Sequence, residues 1–204
     1  MSAVVLVDSG GANIGSVRHA LARLGVEAPL TADADTIAAA QRVILPGVGA
    51  ARPAMDKLRA NGLDRLLPRL TQPVLGICLG MQLLFEHSAE DDTGCLGIVP
   101  GSVAALRPGP GVRVPHMGWN RLEPGEAECP LAAAVGTGSW AYFVHGYAAP
   151  VSAVTSACFK HGGDHTGMLR HGNFYGAQFH PERSADTGAR LLQAFLDLPT
   201  GDES

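Results

Sequence analysis

The chain has 204 residues, enough for one domain with a sizeable buried core. Hydrophobic residues make up 46% and charged residues 17%, and glycine and proline break the aliphatic runs regularly, as in compact proteins that mix helices with strands. The net charge of −4, without any run of lysine or arginine, excludes the basic surface expected of a protein that binds nucleic acid or an anionic membrane. A small-molecule substrate or a protein partner is therefore expected.

The N-terminal residues lack the basic region and the apolar length of a signal peptide, and no segment reaches about 18 uninterrupted apolar residues. The four cysteines, Cys78, Cys95, Cys129 and Cys158, lie far apart without a C-x-x-C pair. We therefore expect free thiols in a reducing compartment. These features predict a cytoplasmic protein.

Strands and helices alternate along the first part of the chain. Apolar runs predict strands at residues 3–7, 26–30, 43–45 and 73–77. Helical periodicity predicts a helix from Asn13, a suitable N-cap, to Leu24, with Gly25 just past its end. An alanine-rich helix is expected around residues 35–40, and another from about Leu79. Such alternation indicates a largely parallel sheet with helices on its faces.

After about residue 95 the pattern changes to short strand-like runs separated by glycine, proline and histidine. These runs cover residues 103–106, 141–147, 154–159 and 174–179, and an amphipathic helix near residues 185–196 ends the chain. The second half is therefore expected to be mostly antiparallel. With no internal repeat and no linker, the sequence predicts a single α/β domain over residues 1–204, with a mixed, mostly parallel central sheet flanked by helices.

The segment Gly76-Ile77-Cys78-Leu79-Gly80 lies where a buried strand runs directly into a helical stretch. It matches the nucleophile elbow G-x-S-x-G with sulfur in place of oxygen, a sharp turn that pushes the central side chain out above the sheet. A helix N-terminus favours negative charge and hence a thiolate, and the N–H of Leu79 is placed to donate to an oxyanion. Most buried cysteines are inert, but two flanking glycines at a strand-to-helix junction favour a nucleophile at Cys78.

A thiolate nucleophile needs an acid and base partner, and histidine usually provides it. His180 ends an apolar strand and is followed by Pro181 and Glu182. Proline keeps its predecessor extended, and residues two apart in an extended segment project to the same side, so Glu182 can orient the His180 ring. A plain His-Pro turn explains the segment equally well in isolation, but less well beside the Cys78 turn.

A second glycine-rich turn, Pro46-Gly47-Val48-Gly49, follows the strand at residues 43–45. Its spacing is not that of a phosphate-binding loop, and no lysine follows it. Taken alone it would be an ordinary turn. Beside the nucleophile turn, the backbone N–H of Val48 or Gly49 could complete an oxyanion hole with Leu79.

Together these three motifs, with Met81 and Gln82 extending the turn at Cys78, resemble those of the class I, triad-type glutamine amidotransferases. The resemblance implies a flavodoxin-like fold, a triad of Cys78, His180 and Glu182, and no cofactor. It also implies that the substrate glutamine is bound by four residues: Gln82, Gly49, Gly146 and Tyr147. The chemistry of the residues by itself indicates only an acyl-transfer hydrolase.

Further segments, at residues 8–17, 115–120, 142–145 and 173–184, look like those of glutaminase subunits of imidazole glycerol phosphate synthases, in histidine biosynthesis. This resemblance implies a heterodimer with a cyclase subunit, which is built as a (β/α)8 barrel and uses the released ammonia. It places Asn13, Trp119 and Tyr142 near that partner. One departure is Gly146, where a small hydroxyl residue is common in the family.

Three other interpretations remain open at this point. The chain could be another triad glutaminase, such as the subunit that feeds pyridoxal phosphate synthesis, or a γ-glutamyl hydrolase, although Gln82 and the segment 117–120 argue against both. It could be a scaffold that has lost the chemistry, against which the intact triad speaks. It could also bind a metal through Cys158, His161, His165 and His171, although their spacing is not that of a structural zinc site and no metal is predicted.

Overall fold

The computed structural model describes residues 3–10 and 14–200. The strands, in chain order, are β1 (Val4–Val7), β2 (Leu30–Thr31), β3 (Arg42–Gly47), β4 (Val74–Cys78), β5 (Phe85–Ser88), β6 (Thr93–Gly94), β7 (Val99–Ala105), β8 (His116–Arg121), β9 (Glu123–Pro124), β10 (Trp140–His145), β11 (Tyr147–Ala148), β12 (Thr155–Lys160), β13 (Asp164–His171) and β14 (Phe174–Ala177). The helices are α1 (Ile14–Arg23), α2 (Ala34–Ala38), α3 (Ala51–Ala60), α4 (Leu63–Leu66), α5 (Leu79–Gln82), α6 (Pro130–Val135) and α7 (Ala185–Leu196).

Eight of these strands form the central sheet, in the order β2-β1-β3-β4-β14-β13-β12-β9. The pairs from β2 to β14 are parallel, and β13, β12 and β9 are added antiparallel. The inner parallel strands are apolar and buried along almost their whole length, as expected for strands covered on both faces. The predicted α/β fold with a mixed, mostly parallel sheet is confirmed.

Two apolar clusters cover the two faces of this sheet. In β1, Val4 and Leu6 belong to one cluster and Val5 and Val7 to the other, because successive side chains of a strand point to opposite faces. Residues of α1, α6 and α7 complete the first cluster, and residues of α2 and α3 complete the second. The parallel strands are thereby held rigidly between two layers, with their carboxyl ends at one edge.

Two smaller sheets lie beside the central one. One has the order β11-β7-β5-β6. The other, here called the ribbon, is the antiparallel pair β8 and β10. Its inner face carries the buried residues His116, Phe143 and His145, whereas Met117 and Trp119 on its outer face are exposed. One ribbon therefore presents two chemically different faces.

Several predicted elements differ from those observed. The strand expected at residues 26–30 is reduced to β2, because the N–H of Val26 bonds to the carbonyl of Leu21 at the end of α1 and Pro29 has no N–H. The helix expected from Leu79 is the single turn α5, after which the chain enters β5. The final helix matches its prediction, and the predicted N-cap Asn13 lies outside the described residues.

Candidate active site

Cys78 is the last residue of β4 and has a backbone conformation that side-chain-bearing residues seldom adopt, with φ of 53° and ψ of −112°. Close packing explains how the turn is held. A Cβ at Gly80 would lie 1.8 Å from the carbonyl oxygen of Leu45, and one at Gly76 would lie 2.7 Å from the carbonyl oxygen of Gly80. The two glycines thus let α5 sit directly against β3 and β4, as the sequence predicted. This arrangement fixes the direction of the Cys78 side chain.

His180 and Glu182 lie beside Cys78 in space. The Nδ1 of His180 is 2.9 Å from Oε1 of Glu182, and both side chains are almost fully buried. The backbone holds the ring in place, because the N–H of His180 donates to the carbonyl of Tyr142 and the hydroxyl of Ser184 donates to the carbonyl of His180. The orienting contact predicted from the spacing of two residues is therefore present.

The electrostatics of this group favour a charged imidazole. Burial by itself lowers the pKa of His180, but the hydrogen bonds and charges of Cys78 and Glu182 outweigh it and raise that pKa to about 10. A protonated ring beside the sulfur stabilises a thiolate by charge pairing. Because α5 is one turn long, the charged ring of His180, rather than a long helix dipole, is the group placed to stabilise negative charge on the sulfur.

A cavity of about 390 Å³ opens above the sulfur of Cys78. It brings Cys78 and His180 together with all six residues predicted for the oxyanion hole and the substrate: Val48, Gly49, Leu79, Gln82, Gly146 and Tyr147. Glu182 lies behind the ring of His180, away from this cavity. A Cβ at Gly146 would meet no atom within 4 Å, so the hydroxyl residue common at this position would also fit.

Gln82 is nearly buried and its amide group is fixed by two neighbours. Its Nε2 donates to the carbonyl of Tyr147 and to Oε1 of Gln178, both at 2.9 Å. Since both amide hydrogens are used within the protein, the carbonyl oxygen of Gln82 is the atom left to accept a hydrogen bond from a ligand. The site therefore offers a fixed acceptor close to the nucleophile.

Sequence reasoning missed several residues of the site. Gln178 is fully buried and places its Nε2 3.8 Å from the sulfur of Cys78. Its spacing of two from His180 was a usable signal, since the same spacing identified Glu182. Glu90 and His145, which were missed as well, line the cavity. Glu90 accepts a hydrogen bond of 2.8 Å from the N–H of Ala51, and burial raises the pKa of its carboxyl group.

Of the four residues considered for metal binding, three have hydrogen-bond partners within the protein, and the fourth, His171, lies at the end of a strand. His161 Nε2 lies 2.7 Å from the carbonyl of Arg113, His165 Nε2 lies 3.2 Å from the carbonyl of His161, and the Cys158 thiol bonds to the carbonyl of Pro124. His171 is exposed at the end of β13. Among residues 3–10 and 14–200, no group of three or more His, Cys, Asp or Glu side chains is arranged to hold a metal ion.

Residues 5–198 match the family model described as glutamine amidotransferase class-I. The chain is 59% identical, over 97% of its own length and 98% of the relative's, to an imidazole glycerol phosphate synthase subunit HisH of Xanthomonas oryzae pv. oryzae. It is 57% identical over the same shares to a protein of that name from Xylella fastidiosa. The chain belongs to the HisH branch of the class I glutamine amidotransferases.

Solved structures agree with the fold of this amidotransferase. A crystal structure of a glutamine amidotransferase superimposes with a TM-score of 0.75, covering 96% of this chain and 97% of the other at 20% identity. A glutamine amidotransferase from Thermotoga maritima superimposes with a TM-score of 0.58, covering 97% of this chain and 84% of the other at 18% identity. These likenesses support the architecture of the central sheet and its helices.

Two of the three predicted partner-facing residues of the amidotransferase, Trp119 and Tyr142, lie on the ribbon. Trp119 is 51% exposed and packs edge-on against the ring of Tyr142, at 5.8 Å between ring centroids. The guanidinium group of Arg183 lies over the ring of Tyr142, 4.4 Å from its centroid. Arg183 and Val144 also line the active-site cavity, so this surface is continuous with the cavity mouth. Asn13, the third predicted interface residue, falls in the short segment outside the described residues.

None of the helices described for the amidotransferase is long and apolar enough to cross a membrane.

Proposed function

We propose that this chain hydrolyses the side-chain amide of glutamine through a thioester at Cys78 and delivers the ammonia to a cyclase subunit. The observation that carries the proposal is the buried group of Cys78, His180 and Glu182 at the base of a cavity that also presents Gln82. Family membership supports glutamine as the substrate. The reaction consumes one water molecule and yields glutamate and ammonia, and it requires no cofactor.

The triad performs two acyl transfers. The Cys78 thiolate attacks the amide carbon, and the N–H of Leu79, with that of Val48 or Gly49, stabilises the oxyanion. The protonated ring of His180 gives its proton to the departing nitrogen, so that ammonia leaves. His180 then takes a proton from water, the hydroxide attacks the thioester, and the carbon–sulfur bond breaks to release glutamate. Glu182 holds the ring of His180 in the required orientation throughout.

Two sides of the cavity recognise the α-ammonium and the α-carboxylate groups of the substrate. The free oxygen of Gln82 accepts a hydrogen bond from the α-ammonium group, and the carboxylate of Glu90 contributes negative charge on the same side. The backbone of Gly49, Gly146 and Tyr147 binds the α-carboxylate. Selectivity for glutamine then follows from fixed polar groups, which are left unpaired by substrates of a different shape.

The second half of the proposal is a heterodimer with a (β/α)8-barrel cyclase. The relatives are named as subunits of imidazole glycerol phosphate synthase. In such a complex the ammonia reacts with a phosphoribosyl formimino carboxamide ribonucleotide, which gives imidazole glycerol phosphate and an aminoimidazole carboxamide ribonucleotide. Direct transfer matters because ammonia released into neutral water becomes ammonium, which has no lone pair. Trp119, Tyr142 and Asn13 are the residues we assign to the interface.

We assign this activity to one domain that spans the chain, because both apolar clusters share the central sheet. We also place the protein in the cytoplasm, where a reducing environment keeps Cys78 and the other three thiols free.

The test measures ammonia release from glutamine by the wild type and by Cys78→Ala, each with and without the barrel partner and its nucleotide ligand. Cys158→Ala, which removes a half-buried thiol outside the cavity, is the matched control. We expect low activity of the free wild type, stimulation by the loaded partner, no activity in Cys78→Ala and full activity in Cys158→Ala. A stimulated rate that survives in Cys78→Ala would refute the assignment of the nucleophile.

A further inference from the structure

Two histidines outside the triad form a buried pair on the inner face of the ribbon. His116 and His145 are 5% and 7% exposed, and the Nδ1 of His116 lies 3.1 Å from the Nε2 of His145. They face each other across β8 and β10, where the register pairs them directly. His145 lines the active-site cavity, whereas His116 is one layer behind it.

The partners of the pair fix which ring nitrogens carry hydrogen. Nδ1 of His145 lies 2.8 Å from the carbonyl oxygen of Tyr147, which can only accept, so this Nδ1 is the donor. The Nε2 of His145 then accepts from Nδ1–H of His116, and the Nε2 of His116 accepts from the side-chain amide of Asn120 at 3.2 Å. Each ring thus donates once and accepts once.

This series of hydrogen bonds requires both imidazole rings to be neutral. Burial, with the charge of the neighbouring His161 and His165, lowers the pKa of His116 to about 4. Burial, opposed only by the bond to Tyr147, lowers the pKa of His145 to about 3. At neutral pH neither ring carries charge, and the single arrangement of hydrogen atoms described above satisfies all four ring nitrogens.

The chain of hydrogen bonds continues to the nucleophile. The carbonyl of Tyr147 that accepts from His145 also accepts from Nε2 of Gln82. Gln82 donates in turn to Gln178, whose amide lies against the sulfur of Cys78. Asn120, His116, His145, the Tyr147 carbonyl, Gln82 and Gln178 therefore form one connected network.

We propose that His116 and His145 are positioning residues for glutamine binding, which set the backbone at Gly146 and Tyr147 and the amide of Gln82 through this network. The inference rests on the proposed glutaminase function. Neither ring exchanges a proton with the substrate. Their contribution is to hold the carboxylate-binding backbone and the ammonium-binding oxygen at a fixed separation, which lowers the KM for glutamine more than it raises kcat.

A simpler account is that His116 only fills space. Its ring stacks on Phe143 and Phe159, at 5.0 and 5.4 Å between centroids, and on the exposed side against His161 at 4.0 Å. If packing were its whole role, phenylalanine would replace it without functional loss. If hydrogen bonding matters, His116→Phe leaves the Nε2 of His145 without a donor in a buried site, and the ring of His145 must move.

The experiment uses the chain in complex with its barrel partner and the nucleotide ligand, and measures kcat and KM for glutamine hydrolysis. We expect His116→Phe to raise KM about tenfold with kcat within about threefold of wild type, because binding groups move while the triad stays in place. His116→Asn, whose amide nitrogen occupies the position of Nδ1 and still donates to His145, should restore KM to within about threefold of wild type. The rate of Cys78 alkylation by iodoacetamide should be the same in all three proteins.

Two further variants complete the test. His161→Phe replaces the imidazole stacked on His116 with a phenyl ring and alters no member of the network, so it should leave KM unchanged. His116→Gln keeps the contact to Asn120 and loses the donor to His145, so it should behave like His116→Phe; it replaces that variant if His116→Phe fails to fold in a thermal melt.

A wild-type complex that releases no ammonia would refute the proposed function. An active wild-type complex, with a KM unchanged in His116→Phe and in His116→Gln, would instead overturn the positioning role alone.

Discussion

At the scale of single residues, the site depends on buried histidines whose pKa values are shifted by their surroundings. His180 is buried and has a pKa of about 10, whereas the buried rings of His116 and His145 have pKa values of about 4 and 3. The difference has a physical cause. His180 faces a carboxylate and a thiol, while the other two rings face carbonyl and amide groups and other histidines. At neutral pH, His180 is therefore protonated, whereas His116 and His145 are neutral.

The first prediction concerns Glu182→Gln, which keeps the shape of the side chain and removes its charge. Since Glu182 raises the pKa of His180 and orients its ring, we expect kcat for glutamine hydrolysis to fall roughly a hundredfold. The pKa of His180, followed by NMR titration, should fall toward its ordinary value. Glu126→Gln, an exposed change on the loop after β9, is the control. Wild-type kcat in Glu182→Gln would contradict the orienting role.

The second prediction concerns stability and pH. The raised pKa of His180 means that the folded state binds its proton more tightly than the unfolded chain, whose histidine has a pKa of 6.5. This stabilisation is fully present below pH 6.5 and is lost as the pH rises toward about 10. His116 and His145 have lowered pKa values, so their effect is the reverse: stability falls as the pH drops from 6.5 toward about 4 and about 3.

Urea unfolding across this pH range measures both effects. We expect the wild type to have its highest free energy of unfolding near pH 6.5, where neither effect reduces stability. His180→Gln should flatten the alkaline side of this curve and leave the acidic side in place. An alkaline slope that is the same in His180→Gln as in the wild type would show that His180 is not its source.

At the scale of elements, the turn after β4 is built by contact between three pieces of backbone. α5 has a single turn because the chain must leave at once for β5. Gly80 touches the backbone of β3, so the turn at Cys78 is supported by the strand next to it. The same strand leads to Val48 and Gly49 on the far side of the cavity. The nucleophile and the predicted oxyanion donors thus share one rigid support.

The third prediction follows from that contact. Gly80→Ala would place a Cβ 1.8 Å from the carbonyl oxygen of Leu45, which only a backbone shift can relieve. We expect a loss of about 3 kcal/mol or more in the free energy of unfolding, measured with urea, and loss of glutaminase activity. Gly94→Ala in β6, where a Cβ meets no atom within 4 Å, is the matched control and should change stability little. Equal stability of the two variants would contradict the packing of this turn.

At the scale of the whole molecule, the ribbon joins the surface to the active site. Its outer face exposes Met117, Trp119 and Trp140, and the carbonyl oxygen of Val144 on β10 lies 3.8 Å from the sulfur of Cys78. Ser184 ties the ribbon to the triad, since its hydroxyl accepts from the N–H of Tyr142 and donates to the carbonyl of His180. A partner seated on this face would therefore contact elements bonded directly to the catalytic residues.

The fourth prediction concerns that partner. Trp119→Ala should weaken binding of the cyclase barrel by about 2 kcal/mol, or roughly thirtyfold in Kd, since a half-exposed tryptophan beside the cavity mouth has the character of a binding hot spot. Isothermal titration calorimetry measures the change. Leu30→Ala, an exposed apolar residue on the edge strand β2, should leave Kd unaltered. Unchanged affinity in Trp119→Ala would remove the ribbon from the proposed interface.

The sequence by itself determined the features that depend on neighbours along the chain. The turn at Cys78, the pairing of His180 with Glu182, the alternation of strands and helices and the extent of α7 all follow from residues a few positions apart. The same local reasoning gave a strand at residues 26–30, most of which is lost through the bond from Val26 to Leu21 and through Pro29, and a helix from about Leu79, which is a single turn because β5 follows it.

Only the tertiary structure decided which distant residues meet. Glu90 lines the cavity although it follows β5 by two residues, Gln178 lies against the sulfur of Cys78, and His116 meets His145 through the register of β8 with β10. Neither order nor register between segments so far apart can be obtained from local propensity, because the pairing energy comes from long-range packing. The pKa values of His180, His116 and His145 could not be predicted from the sequence either, since burial and neighbouring charge exist only after the chain has folded.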